Sequence, residues 1–345
     1  MEDVLLGEKT IAFSIAQEIL TTNANIPVFP ANGRKILAVV RQSKDQIDIP
    51  DFVKLIESDP GMFVRILTLA NSSYYSEMEK IVSLRAAITR IGLIDIVNTV
   101  CLYFFQKLLP KFPDIQGFSY NDFWAHSWAV AVANRRLGHP NLEMGVLPGE
   151  LYMAGMLQGI GKLLLAIHYP KDFTWCLKQA RELKQPLEIA EKKVFGTTDS
   201  LVASKVLTSW EFPSNICQAI AFCQMPELAP PEHIIIAGLT QFAYGIVEQS
   251  GVGRSGDGKK RKLSETCFGQ RPNLKIAQPA IQEQLIEEIN LSIKDRAENI
   301  TSISGKSKVR PAKKQKIVRK QPALTTSREK PTKKGVFGWV RSLWN

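Results

Sequence analysis

Apolar residues recur at spacings of three and four along much of the chain, and that period predicts one helix after another. Residues 10–20 (TIAFSIAQEIL) carry a first such run, and NGRKILAVVRQ carries another after IPVFP, where Pro27 and Pro30 impose an extended path. In ESDPGMFVRILTLANSSYY, Asp59 is placed to cap a helix with Pro60 in its first turn. Phe63, Ile66, Leu67 and Ala70 then follow at i, i+3, i+4 and i+7, and the helix should stop near Asn71 and Ser72. Ser83 opens SLRAAITRIGLIDIVNTV in the same way, with Leu84, Ala87, Ile88 and Ile91 in one stripe and Gly92 as a bend or break. The pattern is that of helix packed on helix, an all-α fold. Its most apolar segment, GMLQGIGKLLL from Gly155 to Leu165, is predicted helical and keeps only Gln158 and Lys162 as polar side chains, one turn apart on the same face. A buried helix that keeps a polar position is holding something there.

The pattern changes near residue 250. SGVGRSGDGKKRK, Ser250 to Lys262, has four glycines in thirteen residues and predicts a flexible linker over 249–277. In AIQEQLIEEINLSIKDRAENI, Ile281, Leu285 and Ile289 share one edge with Ile286 and Ile293 beside it, so an amphipathic helix is expected over 278–300. Docking back on the body is its expected role, with dimerisation or a partner groove as alternatives. From Ser304 to Lys334 the chain is Lys, Arg, Pro, Ser and Thr with few apolar groups, and such a segment buries too little surface to offset its ordering entropy. The region 301–345 is therefore expected as a disordered basic tail. It ends in GVFGWVRSLWN, whose Phe337, Trp339 and Trp344 are candidate contacts for a protein partner, an anionic membrane surface or, third, nucleic acid.

Charge must be divided along the chain before it is read. The net charge is +11, but from Lys306 onward thirteen Lys or Arg face the single acid Glu329, which places +12 in the tail and leaves residues 1–305 at −1. No basic groove on the body follows from the composition. Five cysteines, without a C-x-x-C pair, fit reduced thiols and a reducing cytosol. The start MEDVLLGEK does not read as a signal peptide, and the apolar stretches Leu93–Phe105 and Ile234–Val247 are short for a membrane span. A cytoplasmic protein is expected, with the inner membrane surface within reach of its tail.

Several motifs in order then carry a resemblance: P-x-F-P, D-P-G-M-F-V-R-I-L-T-L-A-N-S, S-L-R-A-A-I-T-R-I-G-L and F-W-A-H-S. From about residue 18 to 248 the chain resembles the HDOD domain, the HD-related output domain of bacterial signalling proteins, leaving 1–17 as an N-terminal lead. The resemblance implies a multi-helix HD-superfamily-like bundle and a place in signal transduction. It also implies where a metal centre would lie, and there the residues depart. F-W-x-H-S supplies a histidine that His126 preserves. The central G-L-L-H-D-I-G-K becomes Gln158 and Gly159 at the His-Asp pair. A histidine after G-T-T is replaced by Asp199, a His-His pair by Cys223 and Gln224, and the Asp of an Ala-Asp pair by Gly238.

A neutral amide is a poor ligand for a divalent ion and glycine is none. His126, Asp199 and Cys223 could converge as an unusual metal site. The reading adopted is a core histidine, a cap on a helix starting near Ser200, and a small buried hydrophobe. Lys162 could contact an anion in the vacated cavity, although a satisfied amide at Gln158 with a snorkelling lysine also explains the pair. His139, His168 and His233 read as turn or helix-end residues. No P-loop, G-x-G-x-x-G, G-x-S-x-G or H-E-x-x-H is present. No metal or cofactor is expected, and the sequence points to a non-catalytic regulatory or scaffold protein working through protein partners. The alternatives are a divergent metal-dependent phosphohydrolase, or a nucleic-acid or membrane-surface binder acting through the tail.

Overall fold

In the computed structural model the described residues are 28–41, 48–71, 75, 80–109, 115–139, 142–271 and 273–303, without the side chains of 39–41, 94 and 292–303. The expected helix at 10–20 and the N-terminal lead lie outside them, as does the tail from 304 with Phe337, Trp339 and Trp344. The chain divides into two compact units, Met1–Ala297 and Glu298–Asn345. The site described below lies wholly within the first.

The helices are, in chain order, α1 Ala31–Arg41, α2 Ile49–Glu57, α3 Pro60–Ala70, α4 Leu84–Ile91, α5 Leu93–Leu108, α6 Tyr120–Leu137, α7 Pro148–Leu157, α8 Ile160–His168, α9 Pro170–Glu182, α10 Leu187–Phe195, α11 Asp199–Ser209, α12 Ser214–Ala221, α13 Ile234–Ser250 and α14 Pro279–Ile303. Among the described residues there is no strand beyond an isolated bridge between Ile115 and Phe118.

Local chemistry sets the helix starts. Asp59 accepts from the amides of Gly61 and Met62, and Ser83 from that of Ala86, as their positions predict. Gly92 separates α4 from α5 at φ 90°. The predicted stripes face inward: Ile66, Ala70, Leu84, Ala87 and Ile91 are buried, with Phe63, Leu67 and Ile88 half-buried against them.

At the centre α6 packs along α7, with α13 across them. Asn134 on α6 ties the three together, donating to the Leu151 carbonyl at 2.7 Å and the Thr240 hydroxyl at 3.0 Å. A second group gathers rings from three distant segments. Phe29, Phe105, Trp210 and Phe212 sit with centroids 5.3–5.8 Å apart. Pro148–His168 is long and apolar enough by composition to cross a membrane, but 83% of its most apolar window is buried inside the bundle.

Three expectations need correction. The segment Gly155–Leu165 is not one helix: α7 ends at Leu157 and α8 begins at Ile160, with Gln158 and Gly159 forming the joint. Residues 249–277 do not run as a loose linker but lie against the bundle as a strap. Several of its glycines are sites of close approach: a Cβ on Gly253 would run into the Asp122 carbonyl, and one on Gly258 into the Ala180 carbonyl. Farther along, Leu263, Thr266, Phe268 and Ile276 are buried against the bundle. The third correction concerns Asp199 and is given with the site. The amphipathic helix expected over 278–300 is α14, which buries Leu285 and Ile289 and joins Arg136 through Glu288 at 2.8 Å.

Candidate functional site

Where the strap crosses α8, α10, α11 and α13 it covers a cluster of buried charges. Lys162, in the first turn of α8 and 3% exposed, places Nζ 3.6 Å from Asp199 Oδ2 and donates to the Tyr244 hydroxyl at 3.3 Å. Tyr244 donates in turn to Oδ2 of Asp257, which belongs to the strap, and Asp257 Oδ1 accepts from the Leu187 amide at 2.7 Å. Glu248, one turn beyond Tyr244 on α13, accepts from the Ser255 hydroxyl at 3.0 Å and the Arg261 amide at 2.8 Å. Arg261 donates to the side chain of Gln224. Gln241 holds both sides, donating to the Gln224 carbonyl at 2.9 Å and accepting from the Cys267 amide at 2.7 Å.

Between these groups lies a cavity of about 150 Å³. The carboxyls of Glu188, Asp199, Glu248, Asp257 and Glu265 and the cations of Lys162, Lys259 and Arg261 line it.

Burial and neighbours set the charge states. Burial alone would lower the Lys162 pKa, but Asp199 and the other acids around it hold it well above the usual lysine value, so the ammonium persists. Glu191, fully buried on α10, is pushed well above the usual carboxylate range by burial and then by Asp199; its Oε2 accepts from the Asp199 amide at 3.0 Å. Burial raises Glu248 to about 7, with Asp257 adding to the shift. Burial, then Lys162, lowers His126 to about 4, so its ring is uncharged.

His126 packs edge-on to Tyr244 at 5.0 Å, and its Nδ1 lies 3.3 Å from the Val252 carbonyl of the strap. That contact assigns the proton to Nδ1. Nε2 is buried without a hydrogen-bond partner among the described residues.

The predicted site residues are brought to this region, but not as a ligand set. Gln158 is buried at the α7–α8 joint. Gly159 faces the Phe123 ring, which stands 2.9 Å from where a Cβ would be, and Gly238 faces the Phe268 ring of the strap at 2.5 Å. Asp199 is not the cap of α11: Thr198 caps it, accepting from the Leu201 amide, which leaves the Asp199 carboxylate free to meet Lys162. Cys223 is held as a thiol, burial and then Asp199 pushing it up to about 12, with Sγ 3.8 Å from Ser200 Oγ. Lys162, expected as an anion contact, is already committed to Asp199 and Tyr244.

The donor set does not fit the divalent ion that an HD centre implies. An amide, a glycine walled by a ring and a protonated thiol stand at its positions, and an ammonium ion sits beside its one carboxylate. Among the described residues no group of three or more His, Cys, Asp or Glu side chains is arranged to hold a metal.

Glu191, Tyr244, Glu248 and Asp257 escaped the sequence reading. A signal existed for two of them: Tyr244 and Glu248 are polar at i and i+4 on the largely apolar α13, as are Thr240 and Gln241 before them. Glu191 lies in a charged run and Asp257 between glycines, where nothing in the pattern marks a buried role.

The HDOD domain family matches residues 26–226. No curated protein matches the chain at a significant level. Among solved structures, an HDOD domain protein of unknown function from Geobacter sulfurreducens aligns at 22% identity and TM-score 0.67, over 84% of this chain and 97% of that one. A protein from Marinobacter aquaeolei, provisionally assigned to signal transduction, aligns at 20% identity and TM-score 0.67, over 87% of this chain and 66% of that one. A provisionally assigned phosphohydrolase from Shewanella amazonensis aligns at 21% identity and TM-score 0.57, over 80% of this chain and 97% of that one. At these identities the likeness shows the fold.

Proposed function

Because this chain belongs to the HDOD family, we propose that it is a non-catalytic regulatory or scaffold protein of bacterial signal transduction, acting through protein–protein contacts. The observation that carries this reading is the occupancy of the centre. Phe123 and Phe268 fill the space beside Gly159 and Gly238, and Lys162 places a fixed positive charge against Asp199. A hydrolase that activates water on a metal needs an open coordination position and several anionic or imidazole donors; here His126 and Asp199 alone are of that kind, and Lys162 already holds Asp199. The basic tail then gives the protein its address in the cytoplasm, through a protein partner or the inner membrane surface.

The test uses the full chain purified without chelator. Metal analysis should find Mn, Fe, Mg and Zn well below one per chain, with no hydrolysis of phosphomonoesters or phosphodiesters. Stoichiometric metal with turnover, both lost in His126→Ala, would overturn the proposal in favour of a divergent phosphohydrolase. A nuclease-treated affinity purification comparing the full chain with one ending at Gly305 locates the recognition surface. Named partners retained by both forms place it on the helical body. Steeply salt-dependent nucleic-acid binding that vanishes with the tail identifies a nucleic-acid binder instead.

A further inference from the structure

We infer that the Lys162 ammonium is a built-in occupant of a buried cation site formed by Asp199, Tyr244 and Asp257, and that a small organic ammonium ion takes its place once the lysine is cut back. The geometry is directional. Lys162 donates to the Tyr244 oxygen at 3.3 Å while Tyr244 donates onward to Asp257, so the hydroxyl presents a lone pair to the ammonium and relays the negative charge of the strap toward it. Asp199 Oδ2 supplies the direct counter-charge at 3.6 Å, and the Tyr244 ring centroid lies 5.4 Å from Nζ.

Asp199 is fixed in place because it opens α11 behind the Thr198 cap and gives its amide to Glu191. Five segments thus converge around one cation: α8 brings the charge, α11 brings the Asp199 carboxylate that α10 steadies through Glu191, and α13 with the strap brings the relay. With Lys162 removed, Asp199, 3% exposed, would remain buried without its counter-charge, which is the costly half of breaking a buried pair. The adjoining cavity of about 150 Å³, bordered by Lys162, Asp199 and Tyr244, gives a small cation access to the place left open.

The inference rests on the metal-free reading of the body, and its test is separate from it. In the full chain, Lys162→Ala deletes Cγ to Nζ, a length that n-propylammonium matches. Thermal unfolding of the variant should fall by roughly 10 °C, and n-propylammonium should restore at least half of the loss. Matched sodium and tetramethylammonium chloride should restore none. Lys162→Met fills the space without the charge; it should be destabilised and insensitive to n-propylammonium, and adding Asp199→Asn should recover part of the loss. Lys162→Met within two or three degrees of the native chain would overturn the inference. So would equal responses of Lys162→Ala to n-propylammonium and tetramethylammonium. If both single variants fail to fold, the Lys162→Met/Asp199→Asn pair must fold, and its failure counts against the inference. Metal content of the native chain decides the regulatory reading on its own, whatever the ammonium rescue shows.

Discussion

The rings of Phe29, Phe104, Phe105, Trp210 and Phe212 and the linked polar groups of Lys162, Asp199, Tyr244 and Asp257 are two interiors of one body, each assembled from segments far apart in the chain. In the first, any well-fitting apolar group contributes, because the attraction scales with buried area and packing and has little direction. In the second, each group is tolerated only because a particular partner stands opposite: Lys162 by Asp199, Asp257 by Tyr244, Glu248 by the Arg261 amide. The difference lies in what a substitution breaks. Lost volume should dominate the cost among the rings, and lost partnership among the charges.

Phe105→Ala should produce the largest effect. Phe105 is fully buried and touches Phe29, Trp210 and Phe212, so its truncation opens a cavity costing about 3–5 kcal/mol. The urea midpoint should drop by the same amount at pH 5 and pH 8, since no titratable group joins those contacts. A loss that varied strongly with pH would tie the two interiors together and break the comparison.

Next in size is Tyr244→Phe, which removes one oxygen and almost no volume. It strands the Lys162 donor and one oxygen of Asp257, for a cost of about 1–3 kcal/mol. The strap should loosen first. Amide exchange at Leu187, whose N–H is held by Asp257, should speed up while exchange around Phe105 stays unchanged. Equal acceleration in both places would mean that the strap and the bundle open as one unit.

How much of each interior was legible in the sequence follows from the same contrast. The apolar stripes of α3 and α4 and their caps at Asp59 and Ser83 are local patterns, and the structure forms them as the spacing predicts. Motif order gave the family and the all-α class, which the match over residues 26–226 and the Geobacter sulfurreducens structure support. The positions of His126, Gln158, Asp199 and Gly238 could be named, but not what fills the space between them. Phe123, Phe268 and Asp257 reach that space through contacts 13 to 70 residues apart in sequence, such as Tyr244 with Asp257 and Leu187 with Asp257. The strap misled because glycine marks both flexible chain and close approach. Composition alone does not separate the two.

Acid should sharpen the contrast through two groups of opposite sign. Glu248 titrates at about 7 in the folded protein against 4.5 when unfolded, so between those values the folded state binds the extra proton. Its stabilising contribution is complete below pH 4.5 and is lost as pH rises through 7. His126 is lowered to about 4 from 6.5, so in its window the unfolded state holds the extra proton, and stability falls as pH drops from 6.5 toward 4. Glu248→Gln should therefore make the slope of stability against pH between 5 and 6.5 more positive, by up to about 1.4 kcal/mol per pH unit. His126→Asn should make it more negative. Urea midpoints across that range measure both slopes, and an unchanged slope in Glu248→Gln would mean that its carboxyl titrates alike in the folded and unfolded states.

The smallest effect belongs to Asp59, an acid at the edge of the ring-lined half. Asp59 accepts from Gly61 and Met62 at 2.9 and 3.2 Å and from the Tyr103 hydroxyl at 2.9 Å, and Lys107 approaches at 3.3 Å. The Lys107 side chain is 57% exposed, so salt and water screen that pair and leave the cap as the main contribution. Asp59→Ala should cost about 1 kcal/mol and Asp59→Asn only a few tenths, because asparagine caps nearly as well without the charge. The same carboxylate-to-amide exchange at Asp199 removes the counter-charge of a buried ammonium, and should cost several times more. Equal losses for the two Asn variants, read as urea midpoints at low and high salt, would show that the charges under the strap hold no more than an ordinary helix cap does. A wide gap, insensitive to salt at Asp199, would show that the same side chain carries different weight according to whether water or only a lysine can answer it.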